Sequence, residues 1–276
     1  MNLKSVLKIL LIAIINPYFL GVWDNLGTGS LGATVGLPFL MSFLQAMAIY
    51  FVVSNSPGLT RWTVFWRALI IFYGITYFQS GVEAYLFLNL MQDSMSVDQV
   101  YNMFLMGALS TLVMVSLATY LFREERVDNP SFIIPLKTTL TRISVLSFFY
   151  VVVYILFGIF VFMPIAGPHF DEFYGDLQPP PWALPFQLFR GLLWSVFAWM
   201  VMEMVSGSRK KVVFIITFMI AVPITSLLLP VNEILPGPIR LGHLIEVGSS
   251  MILFGWVSGM FLTKPLKKGI EIAQQG

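Results

Sequence analysis

The chain has 276 residues, 57% of them hydrophobic and only 11% charged, against about 25% charged in a soluble domain. Its mean hydropathy of +0.82 excludes an ordinary soluble globular protein, and a net charge of +2 gives no reason to expect a nucleic-acid partner. Without cysteine, neither a disulfide framework nor a thiolate metal site can form.

The apolar runs are long and unbroken, not the short alternating segments of an outer-membrane barrel, so the pattern predicts an all-α, polytopic helix bundle in a lipid bilayer. A first helix is expected over residues 1–23, kinked at Asn16-Pro17 and retained rather than cleaved. A short polar turn with Asp24 follows, then a second helix over 31–53 that ends at Asn55-Ser-Pro-Gly58. The third helix, 63–88, carries Gln79 and Glu83, and the fourth, 100–122, returns after a loop with Asp93 and Asp98. Residues 123–142 are the most polar stretch and a natural seam between possible halves, 1–122 and 143–276, of a single integral membrane domain.

The fifth helix is expected over 143–163. Its exit loop, 164–185, holds His169, Asp171 and Glu172 and ends in three prolines, which stiffen it as a cap. The sixth helix, 184–205, has Arg190 near its start and Glu203 near its end. The seventh, 212–229, contains Pro223, and the eighth, 239–262, follows a proline-rich loop with Glu233. Gly248, Gly255 and Gly259 form a small-residue stripe on this last helix, suited to close packing. Eight helices of this length match the roughly 20 residues needed to cross a bilayer.

Charge then orients them. With a cytoplasmic N-terminus, 14 of the 16 Lys and Arg fall on or near the cytoplasmic side, as the positive-inside bias requires. Both termini are then cytoplasmic, and a bacterial-type plasma membrane is the expected location. Arg190 and Arg240 are the two exceptions. Each lies at the outer start of an inward-running helix, after Leu184-Pro185 and Leu235-Pro236 respectively, a weak internal echo.

Arg240, His243 and Glu246 recur at spacings of three and share a helix face. Glu246 lies roughly 9 Å further in than Arg240 along the axis, and Glu83 lies at a comparable depth on the third helix. Ionisable groups in membrane segments are functional candidates, and three readings compete. In one, Glu83, Arg190, Arg240, His243 and Glu246 line an outward-facing cavity for an anionic solute or lipid head group, because guanidinium donors fork to match carboxylate and phosphate. In another, His243 and Glu246, with His169 and Glu172, bind a divalent metal that activates water in an intramembrane hydrolase. In the third, the arginines pair with the glutamates as structural ion pairs in a non-catalytic subunit. The sequence has no Walker A motif, no Gly-x-Ser-x-Gly and no His-Glu-x-x-His.

Overall fold

The computed structural model describes residues 2–16, 35–88, 95–122, 132, 134–175, 180–231 and 235–265. Among them the chain is helical throughout, with nine helices. We number them α1 (Leu3–Ile15), α2 (Leu37–Ser54), α3 (61–86), α4 (Val97–Phe122), α5 (Leu136–Ala166), α6 (His169–Tyr174), α7 (Ala183–Met204), α8 (Arg209–Ser226) and α9 (Gly237–Leu262). Eight correspond to the helices expected from the sequence, and α6 is an additional short one.

Local chemistry starts several helices on the same side. Asn2 caps α1 by accepting from Ser5 N at 2.9 Å, Thr60 caps α3 by accepting from Thr63 N at 3.2 Å, and Ser208 caps α8 by accepting from Lys211 N at 3.4 Å. Two helices are not regular throughout. α3 passes through a π-helical turn at Gly74–Phe78, and α5 through another at Gly158–Phe162. Such turns insert one residue and re-aim the side chains beyond them.

Five helices, α2, α4, α5, α7 and α9, are long and apolar enough to cross a membrane. This is a multi-pass helical membrane protein. α1 is described over 13 residues, α3 is diluted by Gln79, Ser80 and Glu83, and α8 opens on three successive basic residues. One apolar core runs through the bundle and joins both proposed halves: Ile9, Ile49, Phe72, Met114, Leu146, Trp194, Ile216 and Phe254 all belong to it. Large side chains such as Leu105, Phe148, Phe160 and Ile252 remain exposed, as expected of a surface wetted by lipid.

α8 and α9 approach most closely where the glycine stripe lies. A Cβ on Gly255 would sit 2.9 Å from the Thr217 Cα, and one on Gly259 would sit 3.0 Å from the Val213 Cα, so backbone packs on backbone there. The polar seam is shorter than expected. α5 already begins at Leu136, because the buried Arg142 finds acceptors at a helix end, donating to Leu262 O at 2.6 Å and Lys264 O at 2.8 Å. With its donors satisfied, Arg142 continues the helix instead of ending it. The segments expected at 17–34, 89–94, 123–131, 176–179, 232–234 and 266–276 lie outside the described residues, including Asp24, Asp93, Glu233, Lys267 and Lys268.

Candidate functional site

α3 and α7 run side by side, and each presents a polar row to the other. On α3, Thr76, Gln79 and Glu83 fall three and four residues apart and so share a face. On α7, Gln187 and Arg190 do the same. The Arg190 guanidinium donates through Nη1 to Glu83 Oε1 and, at 3.2 Å, to Gln187 Oε1. Its carbon lies 5.8 Å from the Phe186 ring centre, a cation–π contact. The two partners differ in depth: the Arg190 side chain is 8% exposed and that of Glu83 35%.

The donors left over are the informative part. Arg190 Nε, Gln187 Nε2 and both amide atoms of Gln79 are buried with no hydrogen-bond partner among the described residues. An unpaired buried amide or guanidinium N–H costs about 1–3 kcal/mol, and such groups in a native fold call for an explanation. Gln79 and Arg190 border a small crevice between α3 and α7, walled by Phe78, Val82, Phe186, Phe189 and Leu193. As it stands it has room for roughly one water. Its rim is apolar and outward-facing, Phe78 being 38% and Phe189 49% exposed.

A second cluster adjoins the first. His243 of α9 stacks on Phe162 of α5, ring centres 4.1 Å apart, and the π-helical turn of α5 is what delivers Phe162 to that position. Tyr174 of α6 bonds to His243 Nε2 at 2.9 Å, while His243 Nδ1 faces Glu246 Oε2 at 3.5 Å. Burial, helped by the negative charge of Glu83 and Glu246, pushes the Tyr174 phenol above its usual range. It therefore stays protonated, with its hydroxyl against His243 Nε2 while Nδ1 faces Glu246. Glu246 is itself buried. Tyr150 and Tyr154 of α5 lie within electrostatic range of both clusters, each feeling the charges of Glu83, Arg190 and Glu246.

Of the residues singled out in the sequence, Glu83 and Arg190 thus form an ion pair, and His243 and Glu246 form a second pair within the same electrostatic neighbourhood. Arg240 turns elsewhere, donating to Leu229 O at 3.0 Å and tying α9 to the end of α8. His169 and Glu172 pair with one another at 2.8 Å on the exposed face of α6. The four proposed metal ligands remain two separate pairs, and among the described residues no group of three or more His, Cys, Asp or Glu is placed to hold a metal ion.

Sequence reasoning missed Gln79 and Gln187 as site residues, along with Tyr150, Tyr154 and Tyr174. For the glutamines a signal existed, since each sits one helical turn from a candidate charge. Also missed was a buried uncharged network nearer the middle of the bundle. There Tyr77 donates to Gln45 Oε1 at 3.1 Å, Gln45 to Ser226 Oγ at 3.3 Å, and Ser226 to Pro223 O at 2.7 Å. Asn16 Nδ2 donates to Ser42 Oγ at 2.9 Å and Asn16 Oδ1 accepts from Ser110. Asn16 at the end of α1, the π-helical turn of α3 and Pro223 of α8 all meet in this network, so the irregular backbone of α3 and α8 there is enclosed in protein. Comparison with protein-family models, curated proteins and solved structures gives no match in any of the three.

Proposed function

We propose that this protein binds an anionic group, carried by a lipid or an amphiphilic solute, in the crevice between α3 and α7, for transport or transfer across a plasma membrane in which α6 lies on the outer side. The observation that carries the reading is the surplus of unpaired donors. Three buried donor nitrogens (Arg190 Nε, Gln187 Nε2 and Gln79 Nε2), which carry five N–H bonds, stand unpaired against two unpaired acceptors, Gln79 Oε1 and the Thr76 hydroxyl. An acceptor-rich carboxylate or phosphate complements that set. The lipid-borne source is favoured over a fully water-soluble one because the crevice mouth is lined by exposed Phe78 and Phe189. In a bilayer such a rim meets acyl chains. Arg190 lies seven residues inside the start of α7, roughly 10 Å along the axis, a depth a head group reaches.

This narrows the cavity expected from the sequence to Glu83 and Arg190, with Gln79 and Gln187 added. His243 and Glu246 become neighbours that set the local charge. A specific observation favours a structural role for one residue of the original set: the Arg240 guanidinium is committed to a backbone carbonyl. The metal-dependent reading would need a third ligand beside either His–Glu pair.

Gln79→Leu tests the proposal. Leucine removes two unpaired polar atoms without leaving a large void, so the variant should be more stable than wild type by about 1–3 kcal/mol. It should also bind a short-chain phosphatidylglycerol at least tenfold more weakly. Thermal unfolding and binding isotherms in detergent read both quantities. Improved stability with unchanged binding would remove Gln79 from the site, and lost stability would show that its amide has a structural partner.

A further inference from the structure

Resting on that anion-binding reading, we infer that the site takes its anionic group together with one proton, and that Glu83 receives the proton. Arg190 is the cation of the pair and keeps its charge under all ordinary conditions. In the empty site its charge is matched by Glu83 through Nη1. An anion that engages Arg190 Nε and the Gln79 and Gln187 amides would arrive beside a carboxylate already on the same guanidinium. Two anions on one cation in a buried setting repel, and such pairs resolve by protonating one member.

Among the described residues no second Lys or Arg is paired with Glu83 to relieve this. Facing the pair are Arg190 and Gln187 from α7, Tyr150 and Tyr154 from α5, Tyr174 from α6, and Glu246 with its partner His243 from α9. α4 contributes Phe104 against Gly81, while its Asp98 and Tyr101 lie exposed in the first turns. Glu246 is a second carboxylate in the same field, which strengthens the bias against a further uncompensated anion. Glu83, and not Arg190, is the member that can exchange with solvent, since about a third of its side chain is exposed.

The balance is simple. Glu83 carboxylate paired with Arg190, plus a monoanion and a proton from the outer solution, becomes Glu83 carboxylic acid and an anion paired with Arg190. No bond to carbon changes, and the pair taken up is neutral overall. Loading the crevice therefore never places a net charge in the membrane-embedded site.

The test uses the full-length protein in weakly buffered detergent with a pH indicator, as wild type and as Glu83→Gln. The probes are acetate, dimethyl phosphate and dihexanoyl phosphatidylglycerol, which do not titrate near neutral pH. For at least one probe the wild type should take up about one proton per anion bound, and its Kd should weaken roughly tenfold per pH unit where Glu83 is ionised. Glu83→Gln keeps a carbonyl acceptor for Arg190, and should bind the same probe with no proton uptake and a Kd flat with pH. Response to the lipid alone identifies a head-group site, and response to acetate or dimethyl phosphate identifies a free anion. Binding by the wild type without proton uptake overturns the coupling and leaves the anion site standing, as does an unchanged pH dependence in Glu83→Gln. Failure of every probe to bind overturns both. The wild-type proton count decides the matter even if the variant does not fold.

Discussion

Glu83 and Arg190 make one ion pair but have unequal access to water. Removing a partner from a buried pair costs about 3–5 kcal/mol when the remaining charge is trapped. Arg190, 8% exposed, is trapped, whereas Glu83, 35% exposed, is partly open to its surroundings. Glu83→Ala should therefore destabilise the protein by about 3–5 kcal/mol, and Arg190→Met by clearly less. Denaturant titration of the two variants side by side checks the order, and equal losses would mean that Glu83 is as enclosed as its partner. Tyr174 supports a narrower expectation. Tyr174→Phe keeps the ring against Phe162, 6.2 Å between centres, and removes only the bond to His243. The loss should be about 0.5–1.5 kcal/mol, seen as faster amide exchange in α6 with α9 unaffected. Exchange that accelerates throughout α9 would instead make the hydroxyl a global contact.

At the scale of helices, packing is set by where a Cβ can be placed. Gly255→Leu should cost at least the 1–3 kcal/mol typical of overpacking, because even its Cβ would lie 2.9 Å from the α8 backbone. Gly158→Ala, where the added carbon meets nothing, should be neutral or stabilising by about 0.4–1 kcal/mol. Thermal unfolding of the two separates a helix interface from a lipid-facing glycine. The glycine stripe was legible in the sequence because i, i+4 spacing reports a face directly, as were eight of the nine helices, five of them long and apolar enough to cross a membrane, because a run of apolar residues has few alternatives. Helix ends and partners were not. Hydropathy places Arg142 in a loop, and only the carbonyls of Leu262 and Lys264, more than a hundred positions away, show why it is helical. Glu83 and Arg190 could be proposed as neighbours from their depth, but Gln79 and Gln187 are chemically bland in sequence. Their significance is that the Gln187 amide nitrogen and both Gln79 amide atoms have no partner among the described residues, a property of three-dimensional packing. Arg240 shows the converse: its position against the charge bias suggests a ligand, while a nearby backbone carbonyl takes its donor.

For the molecule as a whole, the basic residues assigned to one side also act as clamps on helix ends. Lys8 donates to Leu121 O at 2.6 Å, Arg209 to Met260 O at 2.9 Å, and Arg142 to the end of α9. Cations at the last carbonyls of a helix are stabilising, so the same side chains that bias insertion also close the bundle at that end. The proposed orientation puts this clamped end in the cytoplasm and α6 with the α8–α9 corner outside. The absence of cysteine makes labelling unambiguous, since every thiol is an introduced one. Lys4, Glu172, Val231 and Lys264 are exposed, and replacing Glu172 breaks only a surface pair with His169, worth about 0–1 kcal/mol. In intact cells a membrane-impermeant maleimide should react with Glu172→Cys and Val231→Cys and spare Lys4→Cys and Lys264→Cys, with the pattern exchanged in inside-out vesicles. The reverse pattern would turn the crevice mouth toward the cytoplasm and require the anion and its proton to load from there. Labelling of Lys4→Cys together with Glu172→Cys, but not Lys264→Cys, would show that α1 starts on the outer side and that the chain from residue 4 to residue 264 crosses an odd number of times.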